Sequence, residues 1–131
     1  MRVLVCGSRT FREKHLPVMR REFETLPEEG VTIVHGGQGK YKMVRRKQVL
    51  ESGADMFADG VAKEMGFSTE VFLADWNTYG KKAGPMRNTQ MVNSGVDYVL
   101  AFWDGKTGGT MDTVKKAREK GIPVRLVEFG S

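Results

Sequence analysis

Five short apolar runs divide the chain: Val3–Cys6, Val31–Val34, Thr69–Ala74, Tyr98–Trp103 and Pro123–Phe129. Each is rich in β-branched or aromatic residues and bounded by Gly, Asp or Pro, which reads as a strand. The segments between them change period. Leu16, Met19, Phe23 and Leu26 recur at helical spacing, as do Met56, Ala58, Val61, Ala62 and Met65, and again Met111, Val114 and Ala117. A further helix is predicted to start near Pro85 and run to Asn93, since proline suits a first helical turn. Strand and helix alternate from end to end. That pattern predicts parallel strands joined by crossovers, hence a three-layer α/β sandwich with a mainly parallel sheet of about five strands.

Two stretches fit less simply. Gln38–Ser52 carries Lys40, Lys42, Arg45, Arg46 and Lys47, with Met43, Val44 and Leu50 as a modest apolar side; it reads as a basic amphipathic helix. Asp75–Asn88 has no hydrophobic period. It gathers aromatics, cations and a Gly-Pro pair in one predicted loop.

At 131 residues, 40% hydrophobic and 28% charged, the chain is sized and composed as one globular domain, residues 1–131. No apolar run approaches the roughly 20 residues of a membrane span, so no membrane partner is expected. The first residues read as a buried strand rather than a signal peptide. A lone Cys6 forms no internal disulfide and fits a cytoplasmic setting. One Cys and two His leave too few ligands for a structural zinc site, and no motif calls for a cofactor or a metal. The net charge of +5 favours anionic partners.

In an open α/β sheet, ligands sit beyond the carboxyl ends of the strands. The residues expected there are Gly7, Ser8 and Arg9 after the first strand, His35, Gly36 and Gly37 after the second, Asp75 and Trp76 after the third, and Gly108, Gly109 and Thr110 after the fourth. Glycines let backbone N–H groups approach an anion, and a helix start adds free donors and the positive end of its dipole. Neither Gly-x-Gly-x-x-Gly nor a Walker loop is present. Arg87 is either a surface cation or a clamp on phosphate or ribose. Asp112 is either a helix-start acid or a ribose-binding or catalytic carboxylate. Trp76 either stacks on a base or packs as an ordinary aromatic. His35 reads as a hydrogen-bonding support. The basic segment 38–52 is either a solvated face or a nucleic-acid groove.

Several of these residues together resemble the YspA-type branch of the SLOG superfamily. The resemblance rests on Val3–Arg9, His35-Gly36-Gly37, Gly53-Ala54-Asp55 with Ala58 and Ala62, Ala74-Asp75-Trp76, Gly80-Lys81, Ala83–Asn88 with Met91, and Gly108-Gly109-Thr110. It covers nearly the whole chain. It implies a Rossmann-like fold that binds a nucleotide or an ADP-ribose- or NAD-like ligand, as sensor or sequestering protein, often in phage conflict settings, and as a homo-oligomer. The superfamily includes the LOG phosphoribohydrolases and the DNA-processing protein DprA. This implies two alternatives: an N-glycosidase using Arg87 and Asp112, and a nucleic-acid-binding module. By the same resemblance Gly84, Pro85, Arg87 and Asn88 line the ligand site. The chain departs from the family in two places. Thr107–Asp112 lacks the Pro of the LOG loop and offers Asp112 for its Glu, and Gln38–Ser52 is an insertion.

Overall fold

The computed structural model describes residues 1–130. Five strands form one parallel sheet: β1 (Arg2–Gly7), β2 (Thr32–His35), β5 (Ser68–Val71), β6 (Tyr98–Trp103) and β7 (Val124–Glu128), in the order β5-β2-β1-β6-β7. This is a Rossmann-like three-layer sandwich, as the alternation of periods predicts. Its central strands are largely apolar because successive side chains point to opposite, equally buried faces. Val3, Val5, Ile33, Leu100 and Phe102 face α1 (Leu16–Phe23) and α2 (Ala54–Glu64). Leu4, Cys6, Val34, Val99 and Ala101 face α4 (Ala83–Val92) and α5 (Gly108–Glu119). Among the described residues, no helix is long and apolar enough to cross a membrane.

Several sequence expectations need correction. Residues 38–52 do not form a helix. They form an antiparallel hairpin, β3 (Lys40–Val44) and β4 (Lys47–Ser52), separate from the main sheet. Met43 and Leu50 stand two helical turns apart, but Tyr41/Met43 and Lys42/Val44 repeat with the period of a strand, and the two residues between Val44 and Lys47 close a turn. The predicted loop 75–88 is also largely helical. It holds α3 (Trp76–Tyr79), a 3-10 turn at Gly80–Lys82, and then α4, which begins two residues before Pro85. Pro85 sits in the first turn, where its missing N–H costs no helical hydrogen bond. The third strand of the sheet, β5, ends at Val71 rather than Ala74, since its one neighbour β2 ends at His35. Only Phe72 continues the pairing, donating its N–H to the His35 carbonyl at 2.9 Å.

The chain passes from β1 to β2 on one side and later returns to β6 on the other, so the strand order reverses between β1 and β6. Their carboxyl ends are locked together. Ser8 N–H donates to the Phe102 carbonyl at 2.9 Å, and the start of α2 packs against Gly7. A Cβ on Gly7 would lie 2.7 Å from the Phe102 carbonyl oxygen and would overlap the Ala54 methyl. Neither neighbour can yield, because one is strand backbone and the other is 1% exposed. Gly7→Ala is therefore expected to lower unfolding free energy by about 1–3 kcal/mol, the usual cost of overpacking a core. Equilibrium urea unfolding, compared with an alanine placed at the open position Gly60, measures it.

Candidate functional site

The reversal of strand order opens a cleft of about 380 Å³ at the carboxyl ends of β1 and β6, where an open α/β sheet places its ligands. One wall is the β1 end, Gly7, Ser8 and Arg9. The second is the first turns of α5, Gly108, Gly109, Thr110 and Asp112. The third is α3 and α4, with Trp76, Gly84, Pro85, Arg87 and Asn88. The loop between β6 and α5 is shaped by Asp104. Its Oδ1 accepts the N–H groups of Lys106 and Thr107 at 2.8 and 2.9 Å, and its Oδ2 accepts the Thr10 hydroxyl at 2.8 Å. The Asp104 N–H donates to Ser8 Oγ, which also contacts Thr107 Oγ1 at 2.7 Å. These bonds aim the start of α5 at the cleft. No side chain caps that start and no acid stands in its first turn, so its leading N–H groups lack a protein acceptor among the described residues. Thr110 is 4% exposed, and its Oγ1 has no hydrogen-bond partner among the described residues.

Arg87 is buried, and its guanidinium is held from two sides. Nη1 donates to the Gly36 carbonyl at 2.8 Å and Nε to Asn88 Oδ1 at 2.9 Å. Asn88 Nδ2 in turn donates to Asp112 Oδ2 at 3.0 Å, which also accepts Lys116 Nζ at 2.9 Å. One hydrogen-bonded chain thus runs from the end of β2 through α4 to α5. Burial lowers the Arg87 pKa from its ordinary value, opposed by the field of Asp55. Burial pushes the Asp55 carboxyl up, opposed by the Gln38 N–H, which Oδ2 accepts at 3.2 Å, and by the cations around it. Asp55 Oδ2 and the Arg87 guanidinium both crowd the face of Gly36 on which a Cβ would stand.

Most predicted site residues meet in this region, but two do not reach it. His35 is fully buried and lines neither this cleft nor the one beside it. Its Nδ1 accepts the Gly37 N–H at 3.0 Å, which leaves the ring proton on Nε2 to donate to Asp59 Oδ1 at 2.9 Å. It braces the Gly36-Gly37 turn from behind. Asp75 is exposed and caps α3, accepting the Thr78 N–H at 3.1 Å. Gly36 and Gly37 line a second cleft of about 690 Å³, which also takes in Arg12, Lys40 and Leu73. Arg9, Gln38, Trp76 and Arg87 line both clefts, so the two adjoin. Trp76 lies over Gly84, its ring 3.0 Å from where a Cβ would stand.

Sequence reasoning missed Asp55, Gln38 and Thr107 as lining groups. Asp55 carried a usable signal, an acid placed just after the Gly53 that opens a helix. Gln38 carried none, because its place depends on the hairpin that the pattern hid.

The Gene 61 protein of Mycobacterium phage D29 is 36% identical to this chain over 133 residues, a match that covers 98% of this chain and 96% of that protein. The chain belongs to the Gene 61 protein family. No protein-family model matches it, and no solved structure matches it. The match to the Gene 61 protein extends across nearly all of both chains.

In this Gene 61 family member, the Asp104 carboxyl feels opposing effects. Burial raises its pKa, but the N–H groups of Thr107 and Lys106 and the hydroxyls of Thr10 and Thr107 outweigh it and hold the value at about 2, below the ordinary 3.8. A depressed carboxylate contributes stability above its unfolded value and loses it as pH falls through the folded one. The decline attributable to Asp104 is thus expected between about pH 4 and pH 2. Urea unfolding across that range should fall less steeply for Asp104→Asn than for the wild type, and the two curves should run parallel above about pH 5.

Proposed function

We propose that the protein binds a nucleotide or nucleotide-derived ligand in the cleft between β1 and β6. The observation that carries this reading is the uncapped start of α5, which faces a cleft also lined by Arg9 and Arg87. Free N–H groups, the positive end of the helix dipole and two guanidinium groups select an anion, and phosphate is the anion that such helix starts hold best. The unpartnered Thr110 hydroxyl supplies one more donor. Trp76, half exposed over Gly84, offers a face for a base. A volume of about 380 Å³ lies in the range of small-molecule sites. The adjoining second cleft, with Arg9, Arg12 and Lys40, favours a ligand longer than a mononucleotide, with a second anionic group. ADP-ribose- and NAD-like molecules have that shape.

A thermal-denaturation series with ADP-ribose, NAD, AMP and adenosine tests the proposal. The diphosphate ligands should stabilise most and adenosine least, with about 2.7 kcal/mol expected at a hundredfold excess over Kd. Thr110→Val should leave stability unchanged or raise it, because the hydroxyl has no partner to lose, and should weaken ADP-ribose binding by roughly tenfold. An unshifted melting temperature across the series would overturn the reading.

N-glycosidic hydrolysis is a second reading, favoured by one observation: Arg87 and Asp112 line the same cleft and are joined through Asn88. It ranks below binding because Nε and Nη1 of Arg87 and Oδ2 of Asp112 already have protein partners. Chromatography for free base after incubation with AMP or NAD decides it. Hydrolysis requires base release that Asp112→Asn abolishes, and binding alone requires none.

A further inference from the structure

The distal part of the β3–β4 hairpin lies outside both clefts and has features that ligand binding leaves unexplained. Residues 40–50 include five cations, Lys40, Lys42, Arg45, Arg46 and Lys47, and no acid. The nearest acid, Glu51, is engaged at the root by Lys40 and Arg12 at 3.6 and 3.9 Å. Lys42, Arg45, Arg46 and Lys47 form no salt bridge among the described residues. All of β3 is exposed, with Met43 at 66%. The register pairs Lys42 with Val49 and Val44 with Lys47, so both lysines share one face of the ribbon. The opposite face holds Tyr41, Met43 and Leu50, and Leu50 packs against the core at the root.

The tip is the decisive feature. Two residues close the hairpin, and both have positive φ, 50° at Arg45 and 65° at Arg46. This is the arrangement of a type I′ turn, whose usual occupants are Asn-Gly, Asp-Gly or Gly-Gly. They are the only non-glycine residues of the described chain with positive φ. Long L-side chains there cost about 1–2 kcal/mol each. A fold that needed only a turn would lose that strain by placing glycine. Two adjacent arginines at the tip carry that strain and set their charges where an anionic partner can reach them. The partner must be anionic and able to meet cations on the tip and on one face at once. A two-stranded ribbon, with its strands about 4.8 Å apart, fits the roughly 12 Å major groove of B-DNA. The deep, narrow major groove of A-form RNA does not admit it.

We propose that the β3–β4 hairpin is a DNA-binding ribbon that seats in the major groove of a duplex, with Arg45 and Arg46 leading and pairing with phosphates at the groove edges and Lys42 and Lys47 on the flanking phosphates. This site is independent of the cleft and stands whether or not the cleft holds a nucleotide.

The test is fluorescence anisotropy of the full chain with a labelled DNA duplex of about 20 base pairs across a salt series. Four phosphate contacts predict a loss of affinity of about 100-fold between about 50 and 200 mM salt, from a slope of about 0.9 per contact. The informative variant is Arg45→Asn with Arg46→Gly, which installs the preferred turn residues and so should raise the melting temperature rather than unfold the hairpin. Its affinity at low salt should fall at least tenfold, and its salt-dependent loss should shrink to about 10-fold. Binding by the double variant equal to wild type, equal affinity for duplex RNA, or no binding at about 50 mM salt would each overturn the proposal. So would sedimentation that shows a wild-type dimer lost in the variant while DNA affinity is unchanged, since the hairpin would then join copies of this chain.

Discussion

A buried guanidinium imposes the strictest condition on this structure. Arg87 cannot be withdrawn from water unless its donors meet acceptors and its charge meets a compensating field. The acceptors are a strand-end carbonyl, at Gly36, and a neighbouring amide, at Asn88. The field comes from Asp55 at the start of α2. Three elements that are distant in sequence must therefore arrive together: the end of β2, the start of α2 and the first turns of α4. Gly36 is where they converge. Any side chain there would displace Arg87 or Asp55, so the absence of a Cβ is a requirement of electrostatics as much as of backbone shape. His35 belongs to the same assembly, holding the turn from the core side through Gly37 and Asp59.

The cleft is a by-product of that assembly. With Nε and Nη1 committed, Arg87 presents its remaining edge between two cavities, and Trp76 and Gln38 share the boundary. The other half of the site is organised by Asp104, which gathers the loop before α5 by accepting three hydrogen bonds. A cationic wall fixed from one side thus faces a helix start fixed from the other. Neither depends on a residue drawn from the hairpin tip.

The sheet was legible in the sequence because a doubly covered strand must be apolar at every position, and Val3–Cys6 and Tyr98–Trp103 are. The site was legible where it follows from that sheet, as at Gly7, Ser8, Gly108 and Thr110, which occupy strand ends and a helix start. It was not legible where side chains make long-range choices. Nothing near His35 in sequence reveals that Asp59 lies against its ring, and Asp75 looked like a ligand group while serving as a helix cap. The hairpin was misread because dense cations mask a short period of two, and because a positive-φ turn is ordinarily announced by glycine or asparagine, neither of which is present at 45–46.

The root of the hairpin has an architectural consequence. The chain leaves the core at Gln38 and returns at Gly53, and these points touch: the Gln38 carbonyl accepts the Met56 N–H at 3.2 Å, while a Cβ on Gly53 would stand 2.8 Å from the same carbonyl oxygen. Gly53 N–H is tied separately to the Phe11 carbonyl at 2.8 Å. The core therefore closes on itself beneath the ribbon, and what lies beyond Gly39 and Ser52 adds length without altering the closure. Since loop entropy grows only with the logarithm of length, doubling such an excursion costs about 0.6 kcal/mol. Residues 41–49 are in this sense a cassette, open to lengthening, shortening or exchange while the sheet and its cleft stay as they are.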